Sequence, residues 1–299
     1  MKIITGGSGL IGSEFLDGVK LKSSDYDLRN KTEVKRMIGD FSPTAIIHTA
    51  AKVGGVWANM NYKANFFYDN IMMNTNIIHE SAFQKVEKLI VFLSTCVFPD
   101  SVEYPLDETK IHAGPPHSSN DAYAYAKRMA EVQVRAYNQQ YKTKYFCVIP
   151  TNVYGPNDNY DIENGHVLPS LIHKCYLAKK NNTDWEVWGD GSPLREFIFS
   201  RDVANLCDLL LQNYQEESPI ILSTSSEISI REMVEIIGKI MKFTGKIKWI
   251  KDKPNGQFRK PSDNSKLLSI VGDYKFTPLE EGLTETVEYF IKNYDTIRK

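Results

Sequence analysis

Cysteine is scarce and unpaired in this sequence. The four residues Cys96, Cys147, Cys175 and Cys207 show no C-x-x-C spacing, which suggests reduced thiols in a cytoplasmic protein. Charge of one sign is also lacking. Lys and Arg total 36 against 37 Asp and Glu, a formal net charge of −1, so no polyanion-binding surface is announced, and no nucleic-acid motif is present. Long hydrophobic runs are missing too. None approaches the ~20 residues that span a bilayer, and strand-forming residues follow Met1 directly, so neither a membrane segment nor a signal peptide is expected. His48, His79, His112, His117 and His173 are scattered without ligand spacing, so no metal is expected. What remains is 299 residues, 42% of them hydrophobic. That is enough for a substantial core in one large domain or two of moderate size.

Buried strands and helices alternate through the first half. Apolar runs at residues 1–4, 19–22, 45–51, 88–93 and 145–149 read as strands. Residues 31–41, 67–83 and the stretch opened by Tyr123 read as helices. This order specifies an α/β fold with a parallel, doubly wound sheet. From Pro150 the character changes to a polar stretch, after which helices and irregular structure dominate, with a return strand at residues 220–222. The expected division is a dinucleotide-binding domain over 1–156, with a return segment near 197–224, and a smaller, discontinuous substrate lobe over 157–299.

The first strand runs into Thr5-Gly6-Gly7-Ser8-Gly9-Leu10-Ile11-Gly12, and a helix start follows at Ser13. Gly6, Gly9 and Gly12 have the G-x-x-G-x-x-G spacing, which allows a tight turn, close approach of backbone N–H groups to a pyrophosphate, and close helix–strand packing. Only about ten residues separate Gly12 from Lys22, where a Rossmann unit takes about twenty to its ribose-reading position, so the first helix must be truncated. Lys22, Ser23 and Ser24 stand where an acidic residue would select NAD. One cation and two hydroxyls suit the 2′-phosphate of NADP, although Asp25 and Asp27 follow closely.

Ser94 ends the strand at residues 88–93, and Tyr123 and Lys127 lie four apart on one helix face. A serine beside a carbonyl, with a phenol whose pKa a neighbouring ammonium depresses, can polarise and protonate a ketone. This is the arrangement of short-chain dehydrogenases. Tyr125 lacks the lysine four residues on, since Met129 stands there. Cys96, two residues from the serine, is an acid or base that plain dehydrogenation does not need.

Four stretches resemble the GDP-L-fucose synthase family, the GDP-4-keto-6-deoxy-D-mannose 3,5-epimerase/4-reductases of the extended short-chain dehydrogenases. They are residues 50–55 (Ala-Ala-Lys-Val-Gly-Gly), 93–99 (Leu-Ser-Thr-Cys-Val-Phe-Pro), 150–156 (Pro-Thr-Asn-Val-Tyr-Gly-Pro) and 191–197 (Gly-Ser-Pro-Leu-Arg-Glu-Phe). His166-Val167-Leu168-Pro169 and a Pro-x-Gly stretch ahead of Arg259-Lys260 extend the likeness.

The resemblance implies a Rossmann fold and a reaction that inverts C3 and C5 of a 4-keto sugar before reducing C4. Cys96 would be the base and His166 the opposing acid. Ser94 and Tyr123 would polarise the carbonyl, with Tyr123 delivering the proton. Lys127 would hold the nicotinamide ribose and depress the tyrosine pKa. NADP(H) would lie along Gly6, Gly9, Leu10, Ile11, Gly12, Lys22, Asp27, Leu28, Ala50, Ala51, Lys127, Asn152, Val153 and His166. The GDP-sugar would meet Asn152, Trp188, Arg195 and Lys260. A C₂ homodimer paired through the helices of residues 67–83 and 123–137 is implied as well. The nearest rival keeps fold and triad but only reduces C4 of a related GDP-keto-deoxysugar or heptose. A non-enzymatic nucleotide-binding module would not need to retain the proton donor Tyr123.

Overall fold

The computed structural model describes residues 1–252 and 258–299. The Pro-x-Gly stretch expected at 254–256 lies outside the described residues.

Strands β1 (Lys2–Thr5), β2 (Val19–Leu21), β3 (Ala45–His48), β4 (Lys88–Phe92) and β5 (Lys144–Pro150) contribute the first five members of a sheet. Strands β6 (Asn152–Tyr154), β7 (Trp185–Trp188) and β8 (Leu194–Phe199) lie outside it, and β9 (Ile220–Leu222) returns as its sixth. The order is β2-β1-β3-β4-β5-β9, with every neighbouring pair parallel. A parallel sheet is stable only when both faces are covered, and the side chains divide accordingly. Ile3, Ile46, Leu89, Val91, Tyr145, Cys147 and Ile149 enter one core, while their neighbours Ile4, Ile47, Ile90, Phe92, Phe146 and Val148 enter another. The period-2 alternation of a strand sends adjacent residues to opposite faces, so a run that reads as continuously apolar serves two cores.

Helices α1 (Lys31–Phe41), α2 (Val56–Asn61), α3 (Lys63–Phe83) and α4 (Asp121–Tyr141) lie in the first half. The first core is closed by Val34 and Met37 of α1, Ile77 of α3, and Ala130 and Val134 of α4. Helix α1 starts where the Asn30 side chain accepts the Thr32 N–H at 2.9 Å, satisfying one of the free donors of a helix N-terminus. It stops at Ser42, which takes a left-handed conformation with φ of 43°. The second half adds α5 (Val167–Asn181), α6 (Ser200–Asn213), α7 (Ile230–Ile240), α8 (Ser265–Val271) and α9 (Leu279–Lys292). Val203, Leu206 and Leu210 of α6 and Leu267 of α8 cover the other face of the sheet. The truncated first crossover is a single 3₁₀ turn, Gly12–Glu14, with Phe15, 1% exposed, in the place a helix would cover.

A third core joins α5, α7 and α9 to β7 and β8 through Leu168, Ile172, Trp185, Val187, Phe199, Val234, Ile237, Val287 and Phe290. Strand β10 (Glu227–Ser229) pairs antiparallel with β8, which also pairs parallel with β6, and β11 (Ile247–Ile250) pairs parallel with β7. Helices and irregular structure dominate after Pro150 as expected, but these strands, unlike β9, are not among those expected. They are only three to six residues long, and most find partners far along the chain, so local periodicity carries little of their signal. The same applies to α2, a six-residue helix. The strand expected through Ala51 stops at His48, which leaves Ala50 and Ala51 in the loop beyond it.

Candidate active site

One cavity of about 1160 Å³ opens at the carboxyl ends of β1, β3, β4 and β5, where the third core faces the sheet. The strand order reverses between β1 and β3, and the crevice beside such a reversal is where doubly wound sheets hold ligands. Of the residues nominated from the sequence, Gly6, Gly9, Leu10, Ile11, Gly12, Lys22, Ser23, Asp27, Leu28, Ala50, Ala51, Ser94, Cys96, Tyr123, Lys127, Asn152, Val153, His166, Trp188, Arg195 and Lys260 line this cavity, whereas Ser24 does not and turns its hydroxyl to Asp25.

The glycine loop shows why two of its three motif glycines tolerate no side chain. Gly6 has φ of +70°, and a Cβ there would stand 2.9 Å from the Ala50 backbone. A Cβ on Gly12 would stand 2.3 Å from the Gly6 carbonyl oxygen. At Gly9 the nearest atom is 3.3 Å away, so its role is to leave cavity space beside its backbone. The loop therefore fits a dinucleotide pyrophosphate.

Strand β4 delivers Ser94, and the chain turns at once into a 3₁₀ turn, Thr95–Val97, whose N-terminus Ser94 caps by accepting the Cys96 N–H at 3.5 Å. Serine and cysteine thus share one turn. Helix α4 aims Tyr123 and Lys127 at it, with the Lys127 Nζ 5.9 Å from the Tyr123 ring centre, and Phe66 packs edge-on against the tyrosine with centroids 6.3 Å apart. Tyr125 points outward, 40% exposed. Lys127 is 1% exposed and donates to the Phe92 carbonyl at 2.7 Å.

The expected electrostatics of this pair need correction. Burial pushes the Tyr123 phenol well above its ordinary range, and the Cys96 charge adds to the shift. Lys127 is itself pushed down to about 8 by burial. Desolvation penalises the charged form of each group, and it, with the Cys96 charge, sets the direction at the phenol. The phenol keeps its proton at neutral pH. Cys96, 8% exposed, is likewise pushed up by burial, opposed by the Ser94 hydroxyl and by the cations Lys260, Lys127 and Arg128.

His166 precedes α5 as its N-cap and is exposed to the cavity. Asp158, which sequence reasoning did not single out, lines the same cavity at 4% exposure, and its Oδ2 finds no hydrogen-bond partner among the described residues. Burial raises its carboxyl pKa, and the nearby His166 and Arg298 oppose that. Lys174 was also missed. Its signal was periodic: Val167, Ser170, Leu171 and Lys174 recur at i, i+3, i+4 and i+7 and line the cavity from one face of α5. The Lys174 ammonium lies 4.0 Å from the Trp188 ring centre, and Trp188, 48% exposed at the end of β7, is no core residue.

Arg195 sits on β8 and donates to the Leu194 carbonyl at 2.7 Å. Burial lowers its pKa and that of Lys260. At the far end of the cavity Arg29 grips Asp27, Nε to Oδ1 and Nη2 to Oδ2 both at 2.9 Å. The histidines given no role include His48, fully buried between Thr5 and Asn74 and pushed down to about 3 by burial.

Residues 3–223 match the NAD dependent epimerase/dehydratase family. The chain is 46% identical to a GDP-L-fucose synthase of Dictyostelium discoideum over 99% of this chain and 97% of that protein. It is 39% identical to a probable GDP-L-fucose synthase of Drosophila melanogaster over 99% of each. A crystal structure of a GDP-L-fucose synthetase from Naegleria fowleri bound to NADP superposes with a TM-score of 0.94, at 42% identity over 100% of this chain and 96% of that one. With its glycine loop, Ser-Tyr-Lys set and added cysteine and histidine on one cavity, the chain belongs to the NAD dependent epimerase/dehydratase family and, within it, to the GDP-L-fucose synthases.

Proposed function

We propose that this chain catalyses NADPH-dependent 3,5-epimerisation and 4-reduction of GDP-4-keto-6-deoxy-D-mannose to GDP-L-fucose. The observation that carries this reading is the placement of Cys96 within two residues of Ser94, on the cavity that also receives Tyr123, Lys127 and His166. A reductase needs the serine, tyrosine and lysine. A thiol and an imidazole on the same cavity add a base and an acid for carbon acids on either side of the ketone.

The C4 ketone acidifies the protons at C3 and C5. Cys96, as thiolate, accepts a proton from carbon, and the electron pair moves toward the ketone oxygen. Ser94 and Tyr123 donate hydrogen bonds to that oxygen. His166 returns a proton to the opposite face. Bound NADPH supplies the hydride for C4, held by the glycine loop, the Ala50-Ala51 loop and Lys127. Tyr123 then gives its phenolic proton to the C4 oxygen, a role suited to a phenol that burial keeps protonated. Arg195, Lys260 and Lys174 supply cationic groups for the diphosphate, and Trp188 walls the sugar. Residues 1–156 with 197–224 form the cofactor unit in this reading, and 157–299 the substrate lobe.

NADPH is preferred to NADH through Lys22, Ser23 and Ser24. Two acidic residues oppose a 2′-phosphate, but both are engaged: Asp25 accepts the Lys22 N–H at 2.7 Å and Asp27 is gripped by Arg29. A charge-assisted contact at short range contributes roughly 1.5–3 kcal/mol. Lys22→Ala should therefore lower the NADPH-over-NADH ratio of kcat/KM by about tenfold or more. An unchanged ratio would remove Lys22 from cofactor selection.

The protein acts as a cytoplasmic homodimer in this reading. Among the described residues no helix is long and apolar enough to cross a membrane. The outer faces of α3 and α4 expose Phe67, Phe83, Met129 and Tyr141, which suits pairing through these helices.

The deciding experiment incubates the protein with NADPH and GDP-4-keto-6-deoxymannose in D₂O and identifies the product sugar by NMR. GDP-L-fucose with deuterium at C3 and C5 is expected. A C4-reduced product with protium at both carbons would make the chain a simple reductase.

A further inference from the structure

Lys260 does something in this structure that a diphosphate ligand need not do. Its Nζ donates to the Thr95 carbonyl at 3.2 Å, the residue between Ser94 and Cys96 on the 3₁₀ turn. The lysine comes from the opposite side of the cavity, more than 160 residues along the chain, and its segment is firmly tied. The Leu106 N–H donates to the Pro261 carbonyl and the Asp263 N–H to the Leu106 carbonyl, both at 2.8 Å. The Ser262 N–H donates to the buried Glu196 carboxylate at 3.0 Å, and the Ser262 hydroxyl binds the same carboxylate. A long side chain loses much rotamer freedom when it is fixed, so an ammonium held over one turn by a bridged segment is a positioned charge.

We infer that Lys260 is a positioning residue for the epimerisation base, its ammonium set against the 95–96 turn to stabilise the Cys96 thiolate. This rests on the proposed reading of Cys96 as a base. The groups that face the thiol from other elements are few. Helix α4 contributes Lys127, whose Nζ is taken by the Phe92 carbonyl at 2.7 Å, and Arg128, whose Nε is taken by the Val97 carbonyl at 2.5 Å. It also contributes the protonated Tyr123, and Ser94 offers its hydroxyl. Among the cations that oppose the burial of the Cys96 charge, Lys260 acts most strongly. Desolvation lifts the pKa of the thiol and lowers that of the lysine, and the charge of each opposes the shift of the other. In the proton-transfer step an Sγ–H bond forms as the C–H bond breaks, and the electron pair passes to the oxygen facing Ser94 and Tyr123. The negative charge thereby moves from beside Lys260 to beside the donors.

The test reads the thiol directly, without substrate. Alkylation of Cys96 by iodoacetamide is followed by intact mass from about pH 7 to about pH 11, a window set above the reference thiol value of ~8.5 because burial raises this thiol. Cys96→Ser sets the background from the other three buried cysteines. Lys260→Met keeps the stem and removes the charge. It should raise the midpoint by about one unit or more and slow alkylation at neutral pH by about tenfold. Lys260→Arg should return the midpoint most of the way, and single rather than multiple labelling certifies that each variant is folded. If Lys260→Met fails to fold, Lys260→Gln takes its place. A midpoint in either charge-free variant equal to that of the parent overturns the inference, whatever happens to KM for the sugar nucleotide. A shifted midpoint in the variants, together with a parent protein that does not turn over GDP-4-keto-6-deoxymannose, would instead defeat the functional reading and leave the thiol pairing intact.

Discussion

Tyr123→Phe should reduce the rate of ketone reduction by at least the ~10²–10⁴-fold that a positioned general acid supplies, and leave NADPH binding nearly unchanged. The two effects separate because the phenolic oxygen and the cofactor contacts sit on different elements. The ring of Tyr123 packs edge-on against Phe66, a contact that phenylalanine preserves, so the fold has no reason to respond. The glycine loop, the Ala50-Ala51 loop and Lys127 remain in place for the dinucleotide. Proton delivery and half of the carbonyl's hydrogen bonding are lost together, which is why the lower bound should be exceeded. Ser94 stays as a lone donor. Single-turnover oxidation of NADPH, beside a fluorescence titration of NADPH binding, measures both halves. Reduction within tenfold of the parent would take this tyrosine out of the mechanism.

The same residue shows where sequence reading reaches its limit. The i, i+4 spacing correctly puts Tyr123 and Lys127 on one face of α4, and the strand-end position of Ser94 brings all three to one cavity. The ionisation of the pair was not legible. It depends on how much protein surrounds each group, and Lys127 at 1% exposure is set by contacts from β4 that no local pattern encodes.

The sheet was readable for a related reason. Strands β1, β3, β4 and β5 are apolar on both faces, so each appears as a run bounded by polar residues, and α1 carries its own start and stop signals at Asn30 and Ser42. The short strands of the C-terminal half are stabilised by distant partners. Ile247–Ile250 pairs with Trp185–Trp188, about sixty residues away, and neither segment announces itself. Lys260 was nominated through a motif, but its contact with Thr95 is purely tertiary. Arg29 could have been weighed once Asp27 was named, since only Leu28 separates them and their pairing decides how much Asp27 repels a phosphate.

Cys96→Ser should suppress deuterium incorporation at C3 and C5 while hydride transfer survives, and this separation tests the feature that distinguishes the site from a plain dehydrogenase. Serine is nearly isosteric, so the 3₁₀ turn and its Ser94 cap should persist. Its hydroxyl is a far weaker acid than a thiol of reference pKa ~8.5, and even with cations beside it the alkoxide is not populated near neutrality. General base catalysis of carbon deprotonation should therefore fall by about 10²-fold or more. Ser94, Tyr123 and Lys127 are untouched, so a pre-epimerised ketone should still be reduced at close to the parental rate. The sign of the pH response follows from the buried thiol. Burial raises the Cys96 pKa, so the active thiolate is the minor form at neutral pH, and parental epimerisation should speed up as pH rises toward that value. The serine variant should show no such rise. His166→Gln should impair inversion more than reduction, because the residue comes from the start of α5 and is not one of the Ser94, Tyr123 and Lys127 set that serves the carbonyl. Equal loss of exchange and of hydride transfer in Cys96→Ser would mean that the cysteine supports the site's structure and does not act as its base.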